Sequence, residues 1–97
     1  IPLECRYAGA GHSLDNIVVY FPEQKILFGG CLIKSAGSAT IGNIADADVH
    51  AWPKTLEKVQ KKYRDAEIII PGHGSVGSSE LINHTIGVVN NYLKSKK

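Results

Sequence analysis

Hydrophobic residues recur along this chain first at every second position, then in unbroken runs, and later at intervals of three and four. Leu3, Cys5 and Tyr7 alternate with Glu4 and Arg6, which predicts a half-buried strand. Ile17 to Phe21, IVVYF, is continuously apolar and predicts a strand covered on both faces. Pro22 to Gln24 turns the chain, and KILFGG returns as an antiparallel partner that Gly29 and Gly30 end or kink beside Cys31. The small and polar residues from Ser35 to Asn43 predict a loop. Val49, Trp52, Leu56, Val59 and Tyr63 then form one helical stripe. Asp46 or Asp48 is placed to cap it, and Pro53 argues for a start near Trp52. EIIIPG predicts a short buried strand stopped by Pro71. From Ser78 or Ser79, a last helix carries Leu81, Ile82, Thr85, Ile86, Val89 and Leu93 on one face.

The resulting order, three strands, a helix, a strand and a helix, predicts an α/β unit in which the last strand pairs in parallel through a crossover. That connectivity brings three residues to one end of the sheet. His12 precedes the IVVYF strand, Cys31 follows its antiparallel neighbour, and His73 follows the EIIIP strand. Each stands among glycines, at GAGHS, FGGC and PGHG, where small residues allow close approach. Zinc favours histidine nitrogen and cysteine thiolate, so the coincidence points to a metal site. Singly, each residue reads equally as a turn histidine or a small buried thiol.

Composition narrows the picture further. Ninety-seven residues, 43% of them hydrophobic, suit one domain with a core, residues 1–97, with no internal repeat or linker. The chain has no methionine and opens in a strand already under way, so it is expected to be part of a longer protein. A net charge of +2 with dispersed lysines gives no reason to expect nucleic acid, and no apolar run approaches the roughly 18 residues needed for a membrane span. Two cysteines are too few for a disulfide scaffold, although one bridge between Cys5 and Cys31 is an open alternative. His50 and His84 fall in helical segments without a partner at i+4 and read as structural. Ser13, Asp15 and Asn16 could orient His12 or close its turn. Lys34 could face an anionic substrate or plain solvent, and Asn43 could support a developing oxyanion or sit in a turn.

Taken together, GAGHSLDNIVVYFPEQKILFGGCLIKS, GNIADADVHAWP and IIIPGHGSVG resemble the C-terminal half of a class B metallo-β-lactamase, in the subclass with a cysteine zinc ligand. The resemblance covers the chain from Tyr7 onward, and aspartate is usual at the Cys31 position in wider superfamily hydrolases such as glyoxalase II. It implies a four-layered αβ/βα sandwich of two similar halves with the metals in the groove between them. It makes His12 a ligand of a first zinc, beside two histidines of a His-x-His-x-Asp motif, and Cys31 and His73 ligands of a second zinc, beside that motif's aspartate. It gives Lys34 the substrate carboxylate and Asn43 the lactam carbonyl oxygen. The implied activity is hydrolysis of the β-lactam amide bond by attack of zinc-bound hydroxide, in a periplasmic or secreted enzyme that confers antibiotic resistance. No His-x-His-x-Asp occurs in these residues, so the resemblance also implies that an N-terminal half is the partner that completes the site, and that these residues alone are inactive. It assigns Cys5 no role, which leaves it a buried or incidental thiol. The alternatives are a hydrolase of the same superfamily acting on a thioester or phosphodiester, and a noncatalytic zinc- or disulfide-stabilised module.

Overall fold

A computed structural model describes residues 3–14, 16–37, 41, 44 and 47–95. The strands are β1 (Glu4–Arg6), β2 (Val18–Phe21), β3 (Ile26–Gly30) and β4 (Ile68–Pro71), and the helices are α1 (Trp52–Lys62) and α2 (Glu80–Ser95). They form one sheet in the order β1-β2-β3-β4. The first three strands are antiparallel neighbours, and β4 joins β3 in parallel, as the crossover predicts. The register shifts between Phe28 and Gly30, so Gly30 lies opposite Pro71 and Cys31 leaves the sheet beside Gly72.

Cross-strand register sorts the side chains into two faces. One carries Tyr20, Leu27 and Ile69, and its core is closed by Trp52, Leu56, Val59 and Tyr63 of the α1 stripe and by Leu81, Ile82 and Val89 of α2. Helix α1 starts at Trp52 with Pro53 in its first turn, where a missing N–H costs nothing. Asp48 accepts the Ala51 N–H through its carboxylate at 3.1 Å and the Trp52 N–H through its carbonyl at 3.1 Å, closing the turn that leads into the helix. Asp46 lies outside the described residues. The Glu80 N–H reaches Ser78 Oγ at 3.4 Å at the start of α2.

The opposite face carries Cys5, Val19, Phe28 and Ile70, with Ile26 and Ile68 in the next row. No element among the described residues covers it: Leu3 is 53% exposed, Phe28 42% and Ile68 41%. Two expectations are corrected here. The IVVYF strand is apolar on both sides but covered on one, and β1 is covered on its Glu4 side, which leaves the Leu3, Cys5 and Tyr7 side exposed. Alternation shows that a strand has two faces, and packing decides which is covered.

Glu4 marks the covered side of β1. The Tyr63 hydroxyl donates to Glu4 Oε1, and the Tyr63 ring lies 4.8 Å from that of Tyr20, so α1 is tied to the edge strand. The Tyr63 hydrogen bond, assisted by Lys62 and Arg6, holds the Glu4 carboxyl below its ordinary value, and Arg6 Nε lies 3.8 Å from it. Burial first, and Glu4 second, push the Tyr63 hydroxyl up to about 12. The Glu4 contribution is therefore present above pH 4.5 and lost as pH falls through the lowered folded value, whereas the Tyr63 contribution is present below pH 10 and lost as pH rises through about 12. Tyr63→Phe should remove the alkaline dependence, weaken the acid one to what Lys62 and Arg6 sustain, and speed hydrogen exchange of the β1 amides at neutral pH. Unchanged β1 protection would show that the strand is held by its ladder alone.

Candidate metal centre

Three loops meet at the sheet end where β3 and β4 finish. Cys31 occupies the second position of a turn closed by the Ile33 N–H on the Gly30 carbonyl, 3.2 Å. Its thiol is exposed, while Leu32 and Ile33 anchor the turn in the core at 1% exposure each. Beyond β4, the chain folds back so that Ile69 and Gly77 exchange hydrogen bonds of 2.8 and 3.0 Å, leaving exposed His73 on the intervening loop. Gly72 packs directly on Cys31. A Cβ there would stand 2.8 Å from the Cys31 nitrogen and 2.8 Å from its sulfur, so a side chain at position 72 would push the thiol aside. Ser35 contacts Gly74 in the same way and joins the two loops a second time.

The third loop, at Gly9 to His12, is held by the approach to α1. Thr55 donates its hydroxyl to the Ala10 carbonyl at 2.6 Å, and the Asp48 N–H donates to the Gly11 carbonyl at 2.7 Å. Gly11 lies against Leu32 and Trp52, where a Cβ would meet Leu32 Cδ1 at 2.5 Å. The half-buried His12 ring meets Trp52 edge to face, with centroids 5.9 Å apart. The Asn16 side chain accepts the Ser13 N–H and donates to the Gly9 carbonyl, so Ser13 and Asn16 close the turn around His12. Asp15 lies outside the described residues.

His12, Cys31 and His73 thus sit on three loops packed against one another. Among the described residues, no three or more histidine, cysteine, aspartate or glutamate side chains are grouped closely enough to hold an ion by themselves. The donor types, the exposed thiol and the cradle at Gly72 fit ligands lent to a zinc site shared with further residues. Lys34 is half-buried, and its N–H donates to Thr85 Oγ1 of α2 at 2.8 Å. Asn43 lies outside the described residues. His50 is exposed in the turn before α1, and His84 is half-buried on α2.

Both cysteines are free thiols, and Cys5 is exposed, which rules out the buried one of its two readings and leaves the incidental one. Cys5 pairs with Val19, which in turn pairs with Phe28, three residues before Cys31. Two strand spacings and three residues of rise, each about 10 Å, separate the thiols beyond disulfide reach. The helical stripes predict Trp52 and Thr85 as packing positions and do not include Thr55, so the bonds that Thr55 and Thr85 make to the site loops have no counterpart in the pattern. Thr85, a threonine within an otherwise aliphatic stripe, is the one signal of them.

No family model matches the chain. It is 55% identical over 95 residues to a metallo-β-lactamase type 2 of Bacteroides fragilis, a match covering 98% of this chain and 38% of that protein. The structure superposes on VMB-1 with a TM-score of 0.92 at 43% identity, covering 94% of this chain and 42% of that one. It superposes on the metallo-β-lactamase FIM-1 of Pseudomonas aeruginosa, solved in a mono-zinc form, with a TM-score of 0.90 at 43% identity, over 94% and 40%. The chain belongs to the class B metallo-β-lactamases and spans about two fifths of the length of these relatives.

Proposed function

We propose that these residues form the C-terminal half of a periplasmic or secreted zinc-dependent β-lactam hydrolase that confers antibiotic resistance. The observation that carries this reading is the packing of the Gly11, Cys31 and Gly72 loops into one sheet end. His12 serves one zinc, and Cys31 with His73 serves a second. Zinc supplies a nucleophile at neutral pH and a Lewis acid for the lactam carbonyl. The remaining ligands come from a His-x-His-x-Asp segment in an N-terminal half, which packs on the apolar sheet face carrying Phe28 and Ile68 and completes the four-layered sandwich. Asn43 steadies the carbonyl oxygen as it gains charge.

Lys34 binds the substrate carboxylate. Its backbone is fixed to Thr85 on α2, which leaves the side chain as the mobile part. Lys34→Ala in the complete enzyme should raise KM for anionic β-lactams and lower kcat/KM about tenfold or more, since a charge-assisted hydrogen bond contributes about 1.5–3 kcal/mol. Metal content should be unchanged. Wild-type kinetics that are insensitive to salt would show a lysine that is only solvated. The reading as a whole is tested by hydrolysis of a chromogenic cephalosporin, which should be abolished by dialysis against chelator and restored by zinc. Chelator-insensitive turnover would overturn it.

A further inference from the structure

Trp52 has no exposed surface, and yet two of its contacts lead directly to candidate ligands. Its ring meets His12 edge to face, and its Nε1–H donates at 2.9 Å to the carbonyl of Leu32, the residue after Cys31. Gly11 and Leu32 fill the space between: a Cβ at Gly11 would lie 3.1 Å from the Trp52 ring and 2.5 Å from Leu32. One indole therefore touches an imidazole through its ring and, separately, the turn that carries Cys31 through its N–H.

We propose that Trp52 is a positioning residue that couples the two metal positions, through its ring to His12 and through its N–H to the Cys31 turn. The inference rests on the zinc reading above. The two functions are separable, because phenylalanine keeps a ring against His12 and lacks the N–H, whereas leucine lacks both. Without the indole donor, the buried Leu32 carbonyl loses its partner and the Cys31 turn is free to rotate.

The test uses the complete enzyme loaded with cobalt, whose thiolate charge-transfer band reports the Cys31 position and whose ligand-field bands report the His12 position. In Trp52→Phe the charge-transfer band should weaken or shift, and competition with a chelator should show about tenfold or more loss of affinity at the Cys31 position alone, the size typical of removing a hydrogen bond behind a ligand. Trp52→Leu should perturb both positions. A Phe variant with wild-type charge-transfer intensity and chelator resistance would overturn the assignment, as would equal weakening of both positions, the mark of general loosening. A parent enzyme with no thiolate band at all would overturn the metal reading, and the coupling with it.

Discussion

Cys31→Ser in the complete enzyme is expected to lose the second zinc and most of the β-lactam turnover. A thiolate is a charged, soft ligand, whereas a serine hydroxyl stays neutral near pH 7 and coordinates zinc weakly. Among the described residues, the immediate neighbours of Cys31 offer no substitute donor: it leaves the sheet beside Gly72, and the side chains of Leu32 and Ile33 point into the core. Removing a group that only supports a ligand costs about 10–100-fold, so loss of the ligand itself should cost on the order of 100-fold or more. The fold should tolerate the change: the thiol is exposed, and the turn is closed by backbone atoms. Zinc per chain measured after dialysis and kcat for a cephalosporin check both halves of the expectation. Two tightly retained zinc ions and an unchanged rate would remove Cys31 from the ligand set.

The difference between what was readable in the sequence and what was not follows the range of the interactions. Strands β2, β3 and β4 and the start of α1 near Trp52 follow from runs of local character, apolar stretches cut by Pro22, Gly29 and Pro71. The meeting of the loops that carry His12, Cys31 and His73 follows from connectivity, since one antiparallel and one parallel pairing send all three to the same end. The covered face of β1 does not follow, because the decisive contact joins Glu4 to Tyr63 across most of the chain. The same is true of Thr55 on the Ala10 carbonyl and Thr85 on the Lys34 N–H: helix positions whose partners lie far away along the chain turn out to hold site loops. The identity of the family rested on motif order, GGC followed by PGHG, and the relatives bear it out.

The 97 residues on their own should be marginally stable, self-associating and inactive. Inactivity follows from the proposed division of ligands, which gives one ion His12 and the other Cys31 with His73, short of the three protein ligands of a catalytic zinc. Association follows from the sheet. Four strands about 4.8 Å apart, each rising about 3.3 Å per residue, present an apolar face on the order of 250–300 Å². Leaving it wet forgoes on the order of 7 kcal/mol at about 25 cal/mol per Å², which matches the entire 5–15 kcal/mol stability of an ordinary domain. Exposed Leu3, Phe28 and Ile68 make that face a ready contact for a second copy. The core on the helix side, closed around Trp52, Leu27 and Ile69, should nevertheless preserve the secondary structure. Sedimentation velocity should therefore show concentration-dependent oligomers, and a chromogenic cephalosporin with added zinc should remain intact. Adding the complementary segment with His-x-His-x-Asp should shift the chain to a defined complex and restore both zinc retention and hydrolysis, because each ion then reaches at least three protein ligands. A monomer that hydrolyses the cephalosporin by itself would mean that His12, Cys31 and His73 close around a single zinc, and the division of ligands between two ions would fall.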